Sequence, residues 1–241
     1  MILQGKRLLI TGGAKRIGAA IAEKLARAGC AVLIHYCNSA VEAENLIQTL
    51  PGSGHRIIAA DLSTSSGVEK LISEAGNFDL LVNSAAIFHK PGSPEDIAAK
   101  ELYRQINFLA PKRLLEYLFS QNRPGCAAVN ITDTFALFPG EGAYWQSKRD
   151  LTDLTVKLAP EWAEKGLRIN AIAPGAVLPP SWAPESRMEK ILSQVPLHRA
   201  VAVDELAELV KYLLQCDSIT GSVIPLDGGI SAKLHDRIPR C

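Results

Sequence analysis

The stretch Arg7-Leu-Leu-Ile-Thr-Gly-Gly-Ala-Lys-Arg-Ile-Gly18 decides the fold. Its first five residues have the β-rich, apolar character of a strand, and the pattern from Ile17 to Ala28 predicts a helix closed by Gly29. The glycines between them predict a tight turn. Such a turn lets backbone N–H groups and a helix N-terminus face a pyrophosphate. The stretch therefore predicts the first β-α unit of a nucleotide-binding sheet.

The same alternation of apolar runs and amphipathic stretches continues to the far end of the chain. Helical patterns separate the runs, including one from Ser39, a predicted N-cap, to Leu50 and one from Leu102 to Leu118, which indicates right-handed βαβ crossovers. Pro225 favours a sheet edge for the last strand, because proline cannot donate to a neighbouring strand. The predicted fold is an α/β single-domain Rossmann fold over residues 1–241, with helices on both faces of a doubly wound, mostly parallel sheet. Its further strands are Ala31–Tyr36, Arg56–Ala60, Leu80–Asn83, Ala127–Ile131, Leu167–Ile172 and Ser222–Leu226, about seven strands in all.

Composition excludes several function classes. The formal net charge of +1 gives no electrostatic reason to expect nucleic acid or an anionic membrane as a partner. No apolar run approaches the ~18 residues of a membrane helix, and the start of the chain lacks the pattern of a signal peptide. The five cysteines are scattered without a CxxC pair. We expect a cytoplasmic protein with reduced thiols, no metal site and a small-molecule substrate.

The end of the second strand favours NADP over NAD. Dinucleotide-binding units for NAD normally place Asp or Glu there, to bind the ribose 2′-hydroxyl. This chain has no acid from Tyr36 to Ser39, while Lys15 and Arg16 stand in the glycine turn and suit a 2′-phosphate. Asp61, after the third strand, either accepts from the adenine amino group or simply begins a turn.

Tyr144 and Lys148 form the candidate acid–base pair. The i, i+4 spacing puts both side chains on one face of a helix. A phenol with a pKa of about 10 needs a neighbouring ammonium to become a useful acid–base catalyst near neutrality. Taken alone, a tyrosine and a lysine at this spacing are more often a surface pair.

Together these motifs resemble the short-chain dehydrogenase/reductase family over essentially the whole chain. The resemblance rests on the glycine turn, Asn83 to Ala86, Asn107, the Tyr144/Lys148 pair, Pro174-Gly175 and Leu226 to Gly229. It implies that Tyr144 donates a proton, that Lys148 lowers its pKa and binds the nicotinamide ribose, and that Asn107 supports a proton relay. The NADP(H) contacts that it implies are Gly12, Lys15, Arg16, Ile17, Gly18, Tyr36, Asn38, Ser39, Asp61, Leu62, Asn83, Ala85, Lys148, Pro174, Gly175 and Val177.

Within that family the chain is similar to the pteridine reductases and the dihydromonapterin reductases. Four features carry this: Arg16 in the turn where most relatives have Gly, His35-Tyr36, Asp133 where most carry the catalytic serine, and Phe88, which matches an aromatic that stacks on the pterin. The resemblance implies that Arg16, Phe88, Asp133 and Tyr144 bind the substrate and that Asp133 relays a proton. Asn38 and Ala86 depart from the pattern, and the loop from Asp133 to Tyr144 is shorter than usual. Asp133 alternatively only forms a turn.

Other assignments stay open. A carbonyl reductase of the same family, with Asp133 structural, is the runner-up, and a catalytically silent nucleotide sensor is a third possibility. A Rossmann-like methyltransferase would have no use for Tyr144 and Lys148, and a P-loop NTPase is excluded because the turn lacks Gly-Lys-Ser/Thr. We expect a substrate lid around residues 177–199, containing Trp182 and a surface His198, and a homo-oligomer, either tetramer or dimer. The tail from Ala232 to Cys241 either packs on a neighbouring subunit or is disordered.

Overall fold

The computed structural model describes residues 1–138, 140, 142–180 and 182–235. Ser181 of the predicted lid and residues 236–241 of the predicted tail lie outside the described residues. Among those described, the strands are β1 (Arg7–Thr11), β2 (Ala31–Tyr36), β3 (Arg56–Ala59), β4 (Leu80–Asn83), β5 (Ala127–Ile131), β6 (Arg168–Pro174) and β7 (Val223–Leu226). The α-helices are α1 (Arg16–Arg27), α2 (Ala40–Thr49), α3 (Ser65–Ala75), α4 (Pro94–Ala98), α5 (Lys100–Arg104), α6 (Ala110–Ser120), α7 (Ala143–Glu164), α8 (Glu185–Leu192), α9 (Val203–Gln215) and α10 (Ile230–His235).

The strands form one parallel sheet in the order β3-β2-β1-β4-β5-β6-β7. Side chains alternate between its two faces, so Leu8 and Ile10 of β1 pack with α1, α2 and α9, whereas Leu9 packs with α3, α6 and α7. The strand order reverses between β1 and β4. In sheets of this kind the crevice beyond the carboxyl ends of the strands at that point is where ligands bind.

The predicted doubly wound sheet is confirmed, and its details differ at a few positions. Pro225 lies in β7 at the sheet edge, as expected. β6 continues beyond its predicted end to Pro174, and the predicted helix from Leu102 to Leu118 contains a π-helical turn at Gln105–Leu109. Ser39 stands at the N-cap of α2, but its side chain makes no capping hydrogen bond because its backbone has left the extended region. No helix among the described residues is both long and apolar enough to cross a membrane.

Candidate active site

The glycine turn follows β1 and is closed by contacts that only glycine tolerates. Gly12 has φ +63°, and a Cβ there would lie 2.9 Å from the Cα of Ala85. A Cβ on Gly18, in the first turn of α1, would lie 2.1 Å from the carbonyl oxygen of Gly12. The turn, the start of α1 and the end of β4 therefore approach each other backbone to backbone, which leaves the helix N-terminus open to a phosphate.

Two buried polar side chains at strand ends hold this turn. His35 of β2 accepts from the Gly12 N–H through Nδ1 at 3.1 Å and donates through Nε2 to the Ala60 oxygen at 3.1 Å. Burial lowers the pKa of His35 to about 4, so its ring stays neutral and can accept. Thr11 Oγ1 accepts from the N–H groups of Ser84 and Ala85, both at 3.1 Å. Neither role was predicted from the sequence. The one feature that could have indicated it is a polar residue in an otherwise apolar strand.

Lys15 and Arg16 are both exposed at the start of α1. Arg16 has φ +56°, the left-handed region that favours glycine, which explains why glycine suits this position in the family pattern. Its guanidinium donates to the carbonyl oxygen of Pro179 at 2.8 Å. The side chain thus connects the glycine turn to the segment predicted as a lid.

The remaining predicted cofactor contacts gather around the same carboxyl edge. Asn38 is exposed beyond β2 and Ser39 is buried, while Asp61 Oδ1 accepts from the Ser63 N–H at 2.9 Å. That hydrogen bond lowers the pKa of Asp61 and forms a turn, and the contact of Asp61 with adenine stays a prediction. The other members are the half-buried Ile17, Tyr36, Ala85 and Gly175 and the buried Leu62, Asn83, Pro174 and Val177.

Asn83, at the end of β4, belongs to a buried polar ladder. Its Nδ2 donates to Asn130 Oδ1 at 2.8 Å, and Asn130 Nδ2 donates to Thr155 Oγ1 at 2.9 Å. Asn83 Oδ1 is buried and has no hydrogen-bond partner among the described residues. A buried acceptor without a partner is costly, so this atom, the glycine cradle and the open end of α1 together fit a bound dinucleotide.

Tyr144, Asp133 and Lys148 come together where α7 crosses the end of β5. The Tyr144 hydroxyl donates to Asp133 Oδ2 at 3.2 Å, and the buried Lys148 ammonium donates to the Ile131 oxygen at 2.9 Å. Asp133 Oδ1 accepts from the Phe135 N–H at 2.8 Å and so begins the 3₁₀ helix Thr134–Leu137. The carboxylate of Asp133 therefore lies within hydrogen-bond distance of the phenol, and it also makes the turn.

Burial controls protonation in this cluster. It raises the pKa of Asp133, against the opposing effects of the Phe135 N–H and the Lys148 charge. It lowers the pKa of Lys148 to about 8. Burial and the neighbouring Asp133 raise the pKa of Tyr144 well above its usual value. Desolvation and the Asp133 carboxylate therefore hold the phenol in its proton-donating form, and the pKa-lowering effect expected of Lys148 stays a prediction.

Asn107 lies fully buried in the π-helical turn. Its Oδ1 accepts from the Ile87 N–H at 3.0 Å, and its Nδ2 donates to the Ile87 oxygen and to Ser147 Oγ, both at 3.2 Å. Ser147 in turn donates to the backbone carbonyl oxygen of Tyr144 at 2.6 Å. Asn107 therefore joins the segment after β4 to the helix of Tyr144.

Phe88 lies on the ring of Tyr144, with 4.4 Å between ring centroids. Trp182 and Trp145 complete an aromatic cluster, at 5.7 and 6.1 Å from Phe88. The indole N–H of Trp182 donates to the Phe88 oxygen at 3.2 Å, which fixes the predicted lid over this cluster. A cluster of aromatic rings beside a phenol and a protonatable carboxyl suits a flat ring that must be protonated.

The segment after β6 closes the site from the other side. A Cβ on Gly175 would lie 2.9 Å from Asp227, and the Gly175 N–H donates to the Leu226 oxygen at 3.0 Å. Asp227 accepts from the Thr134 hydroxyl, next to Asp133, and from the N–H groups of Gly229 and Ser231. Burial opposes ionisation of Asp227, but these donors lower its pKa overall. The motif from Leu226 to Gly229 thus supports both the Pro174-Gly175 turn and the Asp133 turn.

Comparisons with known proteins agree with this geometry. The family model described as enoyl-(acyl carrier protein) reductase matches residues 12–231. An uncharacterized oxidoreductase of Methylorubrum extorquens is 30% identical, over 95% of this chain and 98% of its own. The structure of FolM alternative dihydrofolate reductase 1 from Brucella suis in complex with NADP has a TM-score of 0.84 and 34% identity, over 96% of this chain and 97% of that one. A short-chain dehydrogenase/reductase from Serratia marcescens has a TM-score of 0.84 and 28% identity, over 96% of this chain and all of that one, 100%.

Proposed function

The chain belongs to the short-chain dehydrogenase/reductase family, an oxidoreductase family with a nicotinamide cofactor, and we propose that it is an NADPH-dependent reductase of dihydropterin-type rings. One observation carries the proposal: the carboxyl of Asp133, whose pKa burial raises, accepts from the Tyr144 hydroxyl at 3.2 Å beside the ring of Phe88. A similar structure, that of FolM alternative dihydrofolate reductase 1, is an NADP complex, which supports both parts of the proposal.

The proposed cofactor is NADP(H), which supplies the hydride. The pyrophosphate would lie over the N-terminus of α1, where Gly12 and Gly18 allow the backbone to approach. Lys15 and Arg16 would attract the 2′-phosphate, because β2 ends without an acid that would repel it. The Asn83 Oδ1 atom offers an acceptor that no described residue uses.

The chain's own residues would supply the proton. Tyr144 has a raised pKa and its hydroxyl lies 3.2 Å from Asp133 Oδ2, and burial also raises the pKa of Asp133, so each of the two groups carries a proton when the site is fully protonated. When Tyr144 donates to a ring nitrogen, a protonated Asp133 can restore the phenol through the hydrogen bond that joins them. Lys148, held on the Ile131 oxygen, places a cation beside the pair, and Asn107 fixes Ser147 and thereby the first turn of α7.

A carbonyl reductase is the second candidate. The observation that favours it is the hydrogen bond from the Phe135 N–H to Asp133 Oδ1, which gives the carboxylate a structural task of its own. In that reading Tyr144 alone protonates a ketone oxygen. The two candidates differ in what Asp133 does, and therefore in their response to its substitution.

The substrate class is tested by following NADPH absorbance with dihydropterins, dihydrofolate and a panel of ketones. Phe88→Ala is expected to raise the KM for the pterin by about 2- to 13-fold, since aromatic stacking contributes ~0.5–1.5 kcal/mol beyond area burial. Its affinity for NADPH should not change. Phe119→Ala is the matched control, because Phe119 stacks on Trp162 away from the site. Turnover of ketones with none of the pterins would refute the pterin proposal and leave the family assignment intact.

The remaining expectations belong to the same proposal. The 177–199 stretch would act as the substrate lid, with Pro179 held by Arg16 and Trp182 held by the Phe88 oxygen. We also propose a homo-oligomer, tetramer or dimer, located in the cytoplasm. Chromatography with light scattering at several protein concentrations tests the first of these, and a species with the mass of one chain throughout would contradict it.

A further inference from the structure

The loop that carries Phe88 is held by a hydrogen-bonded tyrosine outside the motifs discussed so far. Tyr103 of α5 is fully buried, and its ring lies edge-on to that of Tyr144 at 5.8 Å. The phenol oxygen of Tyr103 accepts from the backbone N–H of His89 at 3.1 Å. The same oxygen lies 2.7 Å from Asp96 Oδ1 and 3.2 Å from His89 Nδ1.

The direction of the hydrogen bonds of the Tyr103 hydroxyl follows from its single proton. A phenol has one proton and two acceptor positions. The short contact to the carboxylate of Asp96 takes the proton, because a hydrogen bond to a charged acceptor is the stronger one. The oxygen then accepts from the His89 N–H, and its contact with His89 Nδ1 is a hydrogen bond in the tautomer that carries the proton on Nδ1. Burial and Asp96 raise the pKa of Tyr103 to about 12, so the phenol keeps its proton.

Asp96 is in turn anchored on its own loop. Its second oxygen accepts from the Gly92 N–H at 2.9 Å, and its backbone N–H donates to the Ser93 hydroxyl at 3.2 Å. On the other side of Phe88, Asn107 holds both the N–H and the oxygen of Ile87. Phe88 is therefore the middle residue of a three-residue segment whose two ends are fixed by different side chains.

We propose that Tyr103, fixed by Asp96, is a positioning residue that holds Phe88 against Tyr144 and so sets the width of the substrate pocket. This inference rests on the proposed function, because it assigns Phe88 to the substrate. Tyr103 touches neither reacting group through its hydroxyl; it acts through the backbone of His89. Substrate binding should therefore depend on the Tyr103 hydroxyl, and cofactor binding should not.

The test is Tyr103→Phe, which keeps the buried ring and removes only the hydroxyl. Tyr117→Phe is the matched control, because Tyr117 packs on Phe78 far from the pocket. We expect the KM for the best substrate to rise by about 2- to 10-fold, the worth of one ordinary hydrogen bond, with kcat within about twofold and the Kd for NADPH unchanged. Amide hydrogen exchange should quicken at His89 and stay unchanged at Ile87, which Asn107 still holds.

The outcomes separate this inference from the proposed function. An unchanged KM despite faster exchange at His89 would overturn it, and so would a KM that rises in step with the Kd for NADPH, since general loosening of the fold would explain that. If the wild-type protein reduces ketones and no pterins, the proposed function fails. The KM for the ketone and the exchange of His89 then still decide whether Tyr103 positions Phe88.

Discussion

Replacing Asp133 by asparagine separates the two candidate functions. Asparagine has nearly the same shape, and its oxygen can keep the hydrogen bond from the Phe135 N–H that begins the 3₁₀ helix. The group facing Tyr144 becomes an amide N–H₂, which cannot accept from the phenol or pass a proton to it. Asp133→Asn therefore preserves the turn and abolishes the proton-sharing bond that spans 3.2 Å in the wild-type protein.

The size of the expected loss of kcat follows from the proposed role of Asp133 as a proton relay. General acid catalysis contributes about 10²- to 10⁴-fold, so kcat for a dihydropterin should fall by on the order of 10². A ketone reductase should respond in the opposite direction. The charge of Asp133 is one reason for the raised pKa of Tyr144, and its removal makes the phenol a better proton donor. We therefore expect turnover of a ketone to stay constant or to rise.

The pH dependence gives an independent measurement of the same role. Burial raises the pKa of Asp133, and the proposed relay needs its protonated form, so pterin reduction should decline as the pH rises through that pKa. Asp133→Asn has no such group and should lack this part of the profile. The rate of pterin reduction is measured by steady-state NADPH absorbance between pH 5 and 9 for the wild-type protein and for Asp133→Asn. Asp153→Asn, on the exposed face of α7, is the control. A pterin kcat within about threefold of wild type, with an unchanged profile, would refute the relay.

Three further variants test the cofactor site, the proton donor and the turn. Lys15→Ala should weaken NADPH binding by about 10- to 150-fold, the worth of one charge-assisted contact, and hardly affect NADH; fluorescence titrations that show equal losses would contradict the 2′-phosphate assignment. Tyr144→Phe should keep NADPH binding and lower turnover by on the order of 10²- to 10⁴-fold, and near-full activity would exclude it as the donor. His35 is held neutral with a pKa of about 4 against 6.5 when unfolded, so the unfolded chain takes up a proton first and stability falls as the pH drops from 6.5 to 4. Denaturant unfolding should show that the wild-type protein loses about 3 kcal/mol more of its free energy of unfolding over that range than His35→Gln does. Equal losses in the two proteins would contradict the neutral state assigned to His35.

The sheet could be predicted closely because of its parallel architecture. Strands buried on both faces need continuous apolar runs, and the runs beginning at Arg7, Ala31, Leu80 and Ala127 coincide with strands at both ends. The π-helical turn around Asn107 could not be predicted, since an extra residue in a helical turn leaves the apolar pattern almost unchanged. Its position is set by the three hydrogen bonds of the Asn107 side chain, which depend on tertiary contacts.

The predictions for the active site divide in the same way: local features could be predicted from the sequence, and features that depend on tertiary contacts could not. The spacing of Tyr144 and Lys148 is a local property of one helix, and it pointed to an acid–base pair only together with the other family motifs along the chain. The raised pKa of Tyr144 could not be predicted from the sequence, because it depends on burial and on the carboxylate of Asp133, which follows β5. The hydrogen bonds of Tyr103 and His35 could not be predicted from the sequence, since a buried tyrosine or histidine among apolar residues looks like ordinary core until its partners are known.

Arg16 joins the two halves of the site. A non-glycine residue in left-handed backbone costs about 1–2 kcal/mol, and glycine would avoid that cost. Strain of this kind persists where the surrounding structure uses the residue. Arg16 stands on the N-terminal turn of α1, where phosphate charge is stabilised, and its guanidinium donates to the Pro179 oxygen in the stretch that also holds Trp182. One side chain thereby contacts both the proposed cofactor end and the proposed lid. A glycine at this position would be less strained but could make no hydrogen bond to the Pro179 oxygen.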